Sequence, residues 1–237
     1  MTSPALTRWD ALKIIAVLLM FVDHAGAFYY TDEQWIRGIG RACAPIFLFL
    51  AGFSPHYKFD RKLLLLALLL TISDWLVKGA PNTLNILWNI ILIRLLFAWM
   101  EKRGELKLRL HEWFIASVPF VFTLLVIQYG PFGLLFGLCG YVYKHRAHYA
   151  SATPERFLWS VIVFYGAAYA WLSEFTLATS VVTAISLLLM GMLIRWFVRA
   201  PLEASPFPAS CKMLSHYTAE IYVLHLIALG WLTGQAI

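Results

Sequence analysis

Apolar runs recur along the whole chain, separated by short polar breaks. A bilayer core asks for roughly 20 apolar residues per helix, fewer where helices pack tightly. The pattern predicts spans near residues 12–29, 39–54, 63–78, 84–100, 112–128, 130–144, 158–172, 176–197 and 216–236. The expected fold class is therefore all-α, a polytopic integral membrane helical bundle of about nine transmembrane helices. The first run lacks a small-residue cleavage exit and is followed by further spans, so it reads as a retained helix. No stretch of domain size lacks apolar runs, and residues 1–237 read as one membrane domain.

The weakest span is 130–144, short enough to be re-entrant, but that would export Lys144, Arg146 and Arg156. It is kept as a spanning helix, with Gly133, Gly137 and Gly140 letting neighbouring backbones approach. Residues 200–215, carrying Pro201, Pro206 and Pro208, read as the longest loop and cannot be helical throughout. An internal repeat of convincing period is absent from the sequence, which counts against transporters built from duplicated halves.

Charge supplies orientation. Alternating the spans gathers Arg8, Lys13, Lys58, Arg61, Lys62, Lys102, Arg103, Lys107, Arg109, Lys144, Arg146, Arg156, Arg195, Arg199 and Lys212 near one face of the membrane. Only Arg37, Arg41 and Lys78 fall at the other. Because Lys and Arg resist translocation, the N-terminus is expected in the cytoplasm and the C-terminus outside, in a multi-pass bacterial inner-membrane protein. The net charge of +6 is scattered over short loops of a chain that is 61% hydrophobic, so no nucleic-acid partner is expected. Cys43, Cys139 and Cys211 are far apart and suggest packing, with neither a disulfide framework nor a zinc site.

Polar residues inside apolar runs are costly in lipid, which makes them functional candidates. Asp23 and His24 interrupt the first run; eleven residues earlier, about 16 Å along a helix, Lys13 shares the histidine's face. His24 reads as a general base, since a partly desolvated imidazole can be neutral and accept a proton. The bland alternative has Asp23 solvating a helix end and His24 satisfied at the interface. Arg41, in G-I-G-R-A-C-A-P, can neutralise Asp23 or meet a substrate. Asn85 and Asn89 share a face and are either interhelical glue or ligands; Arg94 could meet Asp74 or an anionic cofactor group. In S-H-Y-T-A-E-I-Y-V-L-H-L, His216 is a surface residue by default. His225 is expected to line a cavity with His24, or to bond a backbone carbonyl as a packed histidine. Metal-ligand spacings and a G-x-G-x-x-G turn are absent, so no metal is expected and redox or nucleotide chemistry lacks support.

Five segments resemble one known family: L-K-I-I-A-V-L-L-M-F-V-D-H-A-G, G-R-A-C-A-P-I-F-L-F-L, N-I-L, Q-Y-G-P-F-G-L-L and Y-V-L-H-L-I-A-L-G. They fall, in family order, as in the TraX family, membrane acetyltransferases that modify the amino terminus of conjugative F-type pilin. The Lys13 to His24 spacing is also similar to the arginine and histidine of membrane acyltransferases of surface sugars, with lysine in place of arginine. The resemblance implies acetyl-CoA as cytoplasmic acyl donor and a pilin-like protein as acceptor. It also implies that Lys13 or Arg8 meets the donor's phosphates; with the polar residues above, His24, Asp23 and His225 are the expected catalytic residues and Arg8, Lys13, Arg41, Asn85, Asn89 and Arg94 the expected donor-binding ones. Two alternatives remain open at the level of sequence: an O-acetyltransferase of a cell-surface glycan, and a proton-coupled transporter relaying through Asp23, His24 and His225.

Overall fold

The computed structural model describes residues 6–78, 84–103, 127–149, 152–172, 176–201 and 207–234. The named helices among them are α1 (Arg8–Phe28), α2 (Gln34–Gly40), α3 (Cys43–Phe53), α4 (Arg61–Lys78), α5 (Ile86–Arg103), α6 (Gly130–Lys144), α7 (Thr153–Leu172), α8 (Leu177–Arg199), α9 (Lys212–His216) and α10 (Thr218–Thr233). The described residues hold no strand, only an isolated bridge between Leu84 and Ile127. The expected span at 112–128 lies almost wholly outside the described residues; each other expected span overlaps a helix.

Three helical stretches, Arg8–Phe28, Gln34–Phe53 and Leu177–Arg199, are long and apolar enough to cross a membrane, and Thr218–Thr233 is a shorter apolar helix. Leu65, Leu69, Ile72 and Leu76 of α4, and Val181, Ile185, Leu188 and Met192 of α8, form exposed stripes at three- and four-residue spacing. In water such stripes would be an aggregation hazard; against hydrocarbon they cost nothing. The regular elements among the described residues are all helices, and the protein is a membrane protein.

The helices cluster as two compact units, Met1–Phe47 with Glu155–Leu229, and Leu48–Pro154 with Gly230–Ile237. In the first, α1 starts with a capping box in which Thr7 accepts from the Asp10 backbone N–H and donates to the Asp10 carboxylate. The other Asp10 oxygen accepts from the Ser215 hydroxyl at 2.5 Å, tying α9 to the start of α1. Helix α2 wedges between α1 and α8 because its contact positions are glycines: a Cβ on Gly40 would lie 2.3 Å from the Asp23 backbone nitrogen, and one on Gly38 2.7 Å from the Thr183 hydroxyl. Ser186 Oγ donates to the Ile39 carbonyl at 2.8 Å, satisfying an acceptor near the α2 end. The expected span at 39–54 is broken there for a physical reason. Pro45 can neither donate to the Arg41 carbonyl four residues back nor pass it without a clash, so α2 stops and α3 restarts at Cys43.

In the second unit, Tyr129 (φ 66°) and Gly130 (φ 44°) turn the chain through the left-handed region ahead of α6, with Pro131 in its first turn. The α6 glycines sit against neighbours as the sequence suggested. A Cβ on Gly133 would meet the Asn89 amide at 2.5 Å, one on Gly137 the Ile93 side chain at 2.7 Å, and one on Gly140 the Phe49 carbonyl at 2.1 Å. Residues 200–215 are not wholly loop: a 3-10 turn at Ala209–Cys211 leads into α9.

Candidate functional site

The first unit brings Asp23, His24, Arg41 and His225 together. His24 Nδ1 lies 2.6 Å from His225 Nε2, and His225 Nδ1 lies 2.7 Å from the Ile221 carbonyl oxygen one turn back on α10. That chain of contacts fixes the protons of the neutral pair. A carbonyl only accepts, so His225 carries its proton on Nδ1 and its Nε2 is bare. The bare Nε2 must then accept, so His24 carries its proton on Nδ1. His24 Nε2 is left with its lone pair. The nearest carboxylate oxygen, Asp23 Oδ2, is 3.9 Å away, too far to occupy that atom by a hydrogen bond.

Packing holds the pair. The imidazoles stack at 4.8 Å between centroids, Phe21 meets His225 edge-on at 5.1 Å, and the buried Tyr222 lies 6.1 Å from both rings. Asp23 is 3% exposed and is matched by Arg41, whose Nε lies 3.4 Å from Asp23 Oδ1 and whose guanidinium sits over the Tyr169 ring at 5.0 Å. His24 keeps 15% of its side chain accessible, against 4% for Asp23.

The other sequence candidates lie elsewhere. Arg8 is at the far end of α1, where it donates to the Val198 and Ala200 carbonyls and lies 5.3 Å from the Phe197 ring centre, closing the C-terminus of α8. Lys13, half-buried, is electrostatically coupled to Asp10 one turn earlier. Asn85, Asn89 and Arg94 belong to the second unit. Asn85 caps α5 by accepting from the Leu87 N–H, and donates to the Ala67 carbonyl and Thr71 hydroxyl. Asn89 is fully buried and donates to the Gln128 carbonyl at 2.6 Å; its Oδ1 has no hydrogen-bond partner among the described residues. Arg94 pairs at 3.7 Å with Asp60, a partner the sequence reading did not consider. His216 is exposed.

Sequence reasoning missed a cavity of about 370 Å3 beside the Asp23–Arg41 pair, bordered by Arg37, Arg41 and Tyr169. Arg37 carries a signal in hindsight, because it precedes Arg41 by four residues and so shares its helix face. Tyr169 carries none; only the fold brings it there. The described residues contain no cluster of three or more metal-ligating side chains.

A bundle with exposed apolar stripes whose first unit holds two contacting imidazoles beside a buried ion pair defines a class, membrane proteins with a polar centre. Within it the family is shown by direct comparison: the model of the family described as TraX protein matches residues 8–233. The chain belongs to the TraX family. It is 26% identical over 242 residues to Protein TraX of Escherichia coli (strain K12), covering 93% of this chain and 85% of that one. It is also 34% identical over 83 residues to an uncharacterized protein of Rickettsia prowazekii (strain Madrid E), 35% of this chain and only 34% of that protein's length. No solved structure matches.

Proposed function

We propose that the protein is an acetyl-CoA-dependent transmembrane acetyltransferase that N-acetylates the amino terminus of a pilin-like membrane protein, with His24 as general base. The observation that carries this reading is the lone pair left on His24 Nε2 by the His24–His225–Ile221 chain. The family membership and the resemblance to membrane acyltransferases support the donor and acceptor class. About nine spans in the inner membrane, with a cytoplasmic N-terminus, complete the proposed topology.

In this mechanism His24 Nε2 takes the proton of the acceptor amine as its nitrogen attacks the thioester carbonyl carbon. The same ring returns the proton to sulfur as the carbon–sulfur bond breaks, leaving an amide and free thiol. Asp23, 3.9 Å away, stabilises the imidazolium that forms, and Arg41 keeps Asp23 in place. His225 orients the base. General-base help of this kind is worth roughly two to four orders of magnitude, and alignment of amine and thioester up to about 7 to 11 kcal/mol. Lys13, with the part of Arg8 not bound to the Val198 and Ala200 carbonyls, supplies positive charge for the donor's phosphates.

Membranes containing the wild type or His24→Ala, incubated with labelled acetyl-CoA, test the reading. Labelled peptide amine is expected from the wild type, with at least a hundredfold loss of rate in the variant. Equal labelling by both removes the base, and label on a glycan hydroxyl replaces the acceptor.

A further inference from the structure

The proposed transfer chemistry leaves the cavity beside Asp23 and Arg41 without a role. Its volume, about 370 Å3, falls in the range of small-ligand pockets. Gly26 and Ala27 of α1 border it, and its cationic wall is Arg37 and Arg41 with Tyr169 alongside.

The charges facing it do not balance. Arg41 is matched by Asp23 at 3.4 Å. Arg37, one turn earlier on α2, has a buried Nε that makes no hydrogen bond among the described residues. The nearby Glu33 is exposed, and its carboxylate accepts from the Trp35 indole at 2.5 Å. Two guanidiniums therefore border the cavity against one buried carboxylate, an excess of one positive charge. A partly buried guanidinium without an anion is costly, and its fork of donors matches an oxyanion. Position is fixed as well: a Cβ on Gly26 would lie 2.8 Å from Arg37 Cγ, so the arginine stem is seated directly on α1.

Resting on the acetyltransferase reading, we propose that this cavity is the acceptor subsite, and that Arg37 holds a carboxylate side chain close to the reacting amine of a peptide. A carboxylate carries the single negative charge that the excess calls for, whereas a phosphate monoester would carry about −1.5 to −2. The spacing sets the reach. Ala27 is three residues beyond His24, about 4.5 Å along the helix axis, and an extended peptide covers about 3.3 to 3.6 Å per residue. The acidic residue belongs within the first few positions of the acceptor.

Two C-terminally amidated, fluorescently tagged pentapeptides, with Glu or Gln at the third position, are titrated without acetyl-CoA onto the full protein in lipid nanodiscs. Wild type is expected to bind the Glu peptide about tenfold more tightly, as for one charge-assisted contact. Arg37→Gln, long enough to keep its stem against Gly26, is expected to bind both alike. Arg37→Lys keeps the charge but loses the fork, and should retain only part of the preference; it decides the matter if the glutamine variant fails a melting or size-exclusion check. Equal binding by wild type, or full preference in the folded variants, overturns the proposal. Adding acetyl-CoA afterwards separates the two ideas. Transfer without charge preference sinks the subsite and keeps the enzyme; charge preference without transfer does the reverse.

Discussion

Two polar interiors are built into this protein, and they are satisfied in different ways. In the second unit, Asn85 spends its amide on the Ala67 carbonyl and Thr71 hydroxyl and its oxygen on the α5 cap, while Asn89 is clamped between the Gln128 carbonyl and Gly133. Those amides bond to their helix neighbours, and Gly133 leaves room for the Asn89 side chain. In the first unit the polar groups retain capacity that structure does not consume: a bare imidazole nitrogen, a cation-rich cavity and a single buried carboxylate between them. The first unit gathers its unspent groups in one place, whereas of the second unit's two amides only Asn89 Oδ1 lacks a hydrogen bond among the described residues.

Substitutions break the comparison in opposite directions. The largest effect is expected from Arg41→Met, which strands the Asp23 carboxylate in the first unit: about 3 to 5 kcal/mol of stability lost, with turnover falling in the fraction that remains folded. Melting in detergent combined with an acetylation assay checks both. Next is Gly52→Ala, whose Cβ would lie 1.8 Å from the Gly137 carbonyl oxygen of the second unit. About 3 kcal/mol is expected, but activity per folded molecule should stay at the wild-type level; a specific loss there would give the second unit a part in the chemistry.

The smallest effect concerns His145, which follows α6 and lies 3.7 Å from Glu101. Burial, with Lys144 and His148 nearby, holds its pKa below the ordinary 6.5 despite Glu101. The unfolded chain therefore takes up that proton first. Stability from this group is complete above about pH 6.5 and declines as pH falls through the folded value. A pH series of melting temperatures should show a decline that His145→Gln flattens.

The helices were legible because lipid forces apolar runs of known length, and Gly133, Gly137 and Gly140 announced a close crossing. The break at Arg41 was not read, although Pro45 pointed four residues back to it. In the site, Asp23, His24 and His225 stood out because ionisable groups are rare inside spans. Their 2.6 Å contact joins residues 201 apart in sequence and no local pattern encodes it. Arg8 was legible as a cation at the start of the first span, but its hold on the Val198 and Ala200 carbonyls at the α8 end was not, because those residues lie about 190 positions away. The Arg37 cavity requires α1, α2 and α7 together, so composition could not reveal it.

The central claim is that His24 and His225 act as one proton-handling unit. Acetyl-transfer rates of His24→Gln, His225→Gln and the double variant, all at equal folded concentration, test it most directly. A single unit predicts that the double variant is hardly slower than His24→Gln alone. Losses that multiply, or a His225→Gln enzyme as fast as wild type, would contradict it.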